Sequence, residues 1–167
     1  MRTVLALAGC LLLASSGASA QQLTPRHRTA IADTVKDLAN QLFEAENRRD
    51  ADVFISQATD DPDFRYISSG NLFPSKDSLS RAAHARVKSL KSLTYTLKQS
   101  EVTVLSPDAA VFTGAYDETA VDSTGKSQTF RDGWTAVYQR RHGEWKIVHG
   151  HFSRAPVPVA PTGGMGR

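Results

Sequence analysis

Ile31, Val35, Leu38, Leu42 and Phe43 recur three or four residues apart, with Lys36, Asp37, Asn40 and Glu44 on the opposite side. That spacing gathers the apolar set on one face and predicts a helix over 29–49. Asp50 opens a second, shorter helix in which Val53, Phe54 and Ala58 face the same core. Asp60-Asp61-Pro62-Asp63 ends it with turn chemistry. Leu79, Ala82, Ala83, Val87 and Leu90 mark a third helix, running from Ser75 or Lys76 to about 90. Ser75 is its expected N-cap, and Ser78 stands where a full capping box wants Glu or Gln.

The period then changes from helical to alternating. A short strand is predicted at 64–68, between the second and third helices, and long β-branched and aromatic strands at 93–105, 109–121, 128–139 and 144–153. Ser106-Pro107-Asp108, Asp122-Ser123-Thr124-Gly125 and Arg141-His142-Gly143 supply the turns, so the four long strands form an antiparallel meander. Alternation breaks between Leu97 and Val102, which predicts a bulge near Gln99 or Ser100. Helices first and a long sheet afterwards give an α+β architecture, with the helices on one face. One helical layer does not fully cover a strongly curved sheet, so a cavity is expected between them.

The first twenty residues stand apart from this pattern. Arg2, the apolar run 4–14 and the small residues Ala18 and Ala20 around Ser19 read as a signal peptide, 1–20, cleaved before Gln21. The run is too short for a membrane-spanning helix, which needs about 20 apolar residues. Leu7-Ala8-Gly9-Cys10 has the form of a lipoprotein box, but too little apolar sequence precedes Cys10 and Leu11-Leu12-Leu13 continues the run behind it. A periplasmic or secreted location is the expectation. The folded domain spans 24–155. The tail, 156–167, alternates prolines and glycines with small residues and lacks the apolar content to order itself.

Composition narrows the chemistry. Cys10 is the sole cysteine of the 167 residues and leaves with the signal, so the mature chain has neither disulfide nor thiolate. The net charge is +3 with bases and acids interleaved, which offers nucleic acid no basic stripe. No phosphate-binding glycine loop, nucleophile elbow or dinucleotide fingerprint is present. No cofactor is expected.

The run from Thr135 to Ser153 closes with Trp145-Lys146-Ile147-Val148-His149-Gly150-His151-Phe152-Ser153. This strand, basic-glycine turn and Trp-x-Ile-Val-His-x-His-x-Ser strand resembles the end of nuclear transport factor 2-like (SnoaL-like) domains. It is especially similar to the association domain of calcium/calmodulin-dependent protein kinase and its small bacterial relatives. The resemblance implies a cone-shaped fold of three N-terminal helices packed on a strongly curved antiparallel sheet, and it leaves function open because such folds host many activities. The kinase domain's pocket arginines fall at Tyr116, Ala136 and Phe152 here. The helix-one tyrosine of steroid-isomerising relatives falls at Leu42, and the short strand has no carboxylate. Neither set is carried over.

Several residues are candidates for chemistry. Tyr66, Tyr116, Trp134 and Phe152, with Phe54, are expected to wall an apolar pocket, the alternative being ordinary core filling. Asp132 shares strand parity with Phe130, Trp134 and Ala136, so it is either a carboxyl of raised pKa near the pocket mouth or a salt-bridged residue at the rim. His149 and His151 point to one face of a strand but lack a third ligand, and no metal site is expected from them; a bulge in this strand would turn them inward in place of Phe152. Arg81, His84, Arg86, Lys88 and Lys91 read as the solvated basic side of the third helix. The ligand-binding set is thus Phe54, Tyr66, Tyr116, Asp132, Trp134 and Phe152, with no catalytic residue assigned. The expected function is an exported protein that binds a small apolar or amphipathic molecule. The alternatives are an acid-base isomerase, dehydratase or cyclase using the same pocket, and a self-association module. A homodimer is expected, pairing through the outer sheet face around Val137, Gln139 and Val148.

Overall fold

The structure is a computed structural model describing residues 23–157, in which three helices pack on one face of a six-stranded sheet. The signal at 1–20, and all but the first two residues of the tail at 156–167, lie outside the described residues.

Helix α1 (Pro25–Asn47) starts a turn earlier than its apolar spacing predicts. Thr24 caps it, its hydroxyl accepting from the His27 amide at 3.3 Å, and Pro25 fills the first helical position, where a missing N–H costs nothing. That first turn is exposed, so no apolar residue marks it. Val35, Ala39, Leu42, Ala45 and Glu46 form its buried stripe. Asp50 caps α2 (Ala51–Gln57). Helix α3 (Lys76–Ser89) has the full capping box that the sequence reading denies it. Ser75 Oγ accepts from the Ser78 amide and Ser78 Oγ from the Ser75 amide, both at 3.2 Å. A serine hydroxyl does here what the longer Glu or Gln side chain usually does.

The sheet runs β2-β1-β6-β5-β4-β3, from β1 (Arg65–Ser68), β2 (Asn71–Phe73), β3 (Leu90–Ser106), β4 (Ala109–Asp122), β5 (Ser127–Arg141) and β6 (Glu144–Pro156). Strands β3 to β6 are the antiparallel meander predicted from the turns. Strand β1 joins β6 in parallel within a mostly antiparallel sheet. Strand β2 escapes the sequence reading because three residues show no period. Ser69 and Gly70, at φ 49° and 82°, form the tight turn that folds it back on β1.

Bulges bend this sheet and decide which side chains face inward. The one expected near Gln99 shifts the register between Leu97 and Gln99. A second lies in β6: Tyr138 pairs with Ile147 and Val137 with His149, leaving Val148 unpaired. Trp145 and Ile147 are buried before this extra residue, and Gly150 after it, with Phe152 and Arg154 continuing that phase. His149 and His151 are exposed on the outer face.

The core lies between sheet and helices. Phe112, Tyr138, Ile147 and Val35 have no exposed surface, and each such side chain stabilises the fold by about 1.5–3 kcal/mol through burial. Gly150 lets the Tyr66 ring lie across β6, because a Cβ there would come within 2.3 Å of the ring. Tyr66 is thereby held flat at the end of the core that opens into a cavity.

Candidate functional site: an aromatic cavity with an ionic end

A cavity of about 210 Å³ lies under α1, α2 and α3 at the β1–β6 side of the sheet. Leu42 and Phe43 of α1, Phe54 of α2, and Leu79 and Ala83 of α3 supply its apolar roof. Tyr66, Phe73, Trp134 and Phe152 come from the strands beneath. Phe54 meets Tyr66 edge-on at 5.5 Å, and Phe43 meets Trp134 edge-on at 5.3 Å, so the walls brace one another.

One end of the cavity is ionic. Glu46, Arg86 and Arg154 line it, from α1, α3 and β6. Glu118 lies behind them with a side chain wholly cut off from solvent. Its Oε2 accepts from Arg86 Nη2 at 2.7 Å and from Arg154 Nη2. Arg154 Nε also donates to Asp132 Oδ1 at 3.3 Å, directly across the β5–β6 ladder, and its guanidinium lies 4.5 Å over the Phe130 ring. Arg86 reaches the Tyr95 hydroxyl at 3.5 Å. Burial pushes the Glu46 carboxyl up to about 7; the Arg86 charge opposes the rise, and those of Glu118 and Asp50 add to it. Burial likewise lifts Asp132 to about 6, with Arg154 opposing and Glu118 adding.

Four buried polar atoms in this region have no hydrogen-bond partner among the described residues: Tyr116 Oη, Glu118 Oε1, Asp132 Oδ2 and Trp134 Nε1. Their residues form one patch on the inner face of β4 and β5, where Tyr116 stands opposite Asp132 and Gly114 opposite Trp134.

The sequence-derived residues divide. Phe54, Tyr66, Trp134 and Phe152 meet around the cavity. Tyr116 instead lines a separate groove between α1 and β3, stacked on Phe43 with ring centroids 3.9 Å apart. Asp132 lies behind Arg154, not on the cavity wall. Arg86 departs from the reading of α3 as a solvated basic side, because it turns inward to Glu118. His84 keeps to the outside, 3.0 Å from Asp52. Sequence reasoning missed Glu46, Arg86, Glu118 and Arg154, although each is in phase with buried residues. Glu46 is one turn beyond Leu42, Arg86 two turns beyond Leu79, Glu118 two residues past Tyr116, and Arg154 two past Phe152. Among the described residues no group of three or more His, Cys, Asp or Glu could hold a metal ion, and no helix is long and apolar enough to cross a membrane.

Three helices on an open, bulged sheet with a cavity between the layers define the nuclear transport factor 2-like class of α+β cones. Within it, the chain belongs to the SnoaL-like domain family, whose sequence model matches residues 35–158. Solved structures agree on the fold. A nuclear transport factor 2-like superfamily protein from Salmonella enterica superposes with a TM-score of 0.70 at 18% identity, over 81% of this chain and 98% of its own. A candidate scytalone dehydratase from Novosphingobium aromaticivorans gives 0.71 at 7% identity, over 86% and 99%. A candidate calcium/calmodulin-dependent protein kinase II association domain from Xanthomonas campestris gives 0.63 at 22%, over 74% and 86%.

Proposed function

We propose that this protein binds a small, largely apolar or amphipathic molecule in the cone cavity, as an exported homodimer. The observation that carries the reading is the cavity itself: aromatic walls leave about 210 Å³ free, and polar groups converge at one end. The neighbouring folds include a candidate dehydratase, so the architecture accommodates small-molecule sites. Filling the space tests it. Ala83→Leu puts a larger side chain into the cavity from a half-buried helical position. It is expected to abolish retention of small apolar probes while the melting temperature changes by only a few degrees, since Leu suits a helix nearly as well as Ala. Unchanged binding would refute the site. Intact mass of the exported protein tests the Gln21 start, and light scattering tests the dimer.

A second reading rests on Glu46. A carboxyl that faces an apolar cavity and titrates near neutral pH is suited to moving a proton to or from a bound molecule. On that reading, turnover of a bound substrate follows a pH profile with a midpoint near 7 and is lost in Glu46→Gln. Turnover that survives in Glu46→Gln with the same profile would exclude the role.

A further inference from the structure

We propose that the cavity takes a small organic anion, a carboxylate on a body of one ring, with the carboxylate seated on the unused N–H groups of Arg86 and Arg154. The inference rests on the cavity being a binding site and adds the charge and size of what enters it.

Position, not count, decides the charge. Arg86 and Arg154 line the cavity, whereas Glu118 and Asp132, the carboxylates that hold them, stand behind and do not line it. A guanidinium offers five N–H donors. Among the described residues, Arg86 donates only through Nη2, and Arg154 only through Nε and Nη2. The remaining donors, Nε and Nη1 of Arg86 and Nη1 of Arg154, belong to residues that line the cavity, and the Trp134 indole N–H is buried in its wall beside the Tyr66 hydroxyl. Two planar forks anchored from behind suit a planar carboxylate in front.

Size follows from volume. A cavity of about 150 Å³ holds one benzene. The cavity here, at about 210 Å³, takes one six-membered ring with its head group.

Glu46 makes the binding sensitive to pH. It is the carboxyl on the cavity wall, and an incoming anion favours its neutral form. The charged and titratable groups around it are Arg86 from α3, Glu118 from β4, Tyr95 from β3, Tyr66 from β1 and Asp50 at the start of α2, with Arg154 and Asp132 across the cluster. A protonated Glu46 removes a repulsion and can donate to the bound carboxylate. Binding therefore takes up a proton, and affinity falls as pH rises through the Glu46 titration.

The test compares benzoate, benzamide and benzyl alcohol by calorimetry and by the Trp134 indole N–H resonance. Benzoate stays ionised between pH 6 and 8. Its affinity is expected to exceed that of both neutral probes at pH 6 and to fall roughly tenfold by pH 8, the linkage for one proton titrating near 7. In Glu46→Gln the fall should vanish. Arg86→Lys keeps a charge on Glu118 but loses the fork, and is expected to weaken benzoate while leaving benzyl alcohol unchanged. Benzamide or benzyl alcohol binding as tightly as benzoate would overturn the anion while leaving the cavity as a site. Failure of all three probes to move Trp134 would overturn both. A benzoate affinity that is flat with pH in the parent protein would overturn the role of Glu46.

Discussion

At one end of the interior, Tyr138 donates to Gln57 Oε1 at 3.1 Å, and Gln57 Nε2 donates onward to the Leu38 carbonyl at 2.9 Å. This short relay ties β5 to α2 and α1, and its buried side-chain atoms all have partners. At the other end, the patch of Tyr116, Glu118, Asp132 and Trp134 leaves four buried atoms without one among the described residues. The two regions share the same sheet face and the same burial. A buried polar atom left unpaired costs about 1–3 kcal/mol, so the finished network holds the interior together more firmly than the unfinished patch does. The first network serves stability. The second gives up stability, and of its four residues Trp134 alone reaches the cavity wall.

The largest expected effect breaks the second region at its centre. Glu118→Ala leaves Arg86 and Arg154 without their shared acceptor and should cost about 3–5 kcal/mol, read from urea denaturation. A cost below about 1 kcal/mol would show that water already serves the arginines.

The next effect is a pH dependence. Glu46 and Asp132 bind protons more tightly in the folded chain than their ordinary values allow, so the folded state holds more protons than the unfolded one. Their contribution is fully present below about pH 4 and is lost as pH rises to about 7, where Glu46 titrates in the folded protein. Stability should therefore fall between pH 5 and pH 8, and Glu46→Gln should recover about 2 kcal/mol of it at pH 8. An equal stability of parent and variant across that range would remove Glu46 from the account.

The smallest effect concerns the finished network. Tyr138→Phe strands Gln57 Oε1 and should cost about 1–2 kcal/mol, with no change in binding at the cavity. A binding change there would show that the two regions are coupled.

How much of this was legible follows from what each element needs. The meander could be read because Pro107, Gly125 and Gly143 punctuate it, and the Leu97–Gln99 irregularity showed as a break in alternation. The β6 bulge was an open alternative, because Val148 and Val137 fit either phase, and it was expected to turn His149 and His151 inward; the ladder has the bulge at Val148 and the histidines outward. Four cavity aromatics were found because large apolar residues carry the period. The ionic end was not, because periodicity is counted on apolar residues, and Arg86 looks like the rest of a basic helix surface. A charged residue in phase with the buried set is the signal that would have found it. Glu46 after Leu42, Glu118 after Tyr116 and Arg154 after Phe152 all show it.

The most direct test watches the indole donor in the cavity wall. Trp134 Nε1–H is buried in the cavity wall, while Trp145 packs elsewhere in the core. In a nitrogen–proton correlation spectrum titrated with benzoate at pH 6, the Trp134 indole resonance is expected to shift to saturation with Trp145 unmoved. Saturable shifts confined to Trp145 or to the outer-face amides of His149 and His151, with Trp134 unchanged, would contradict the account.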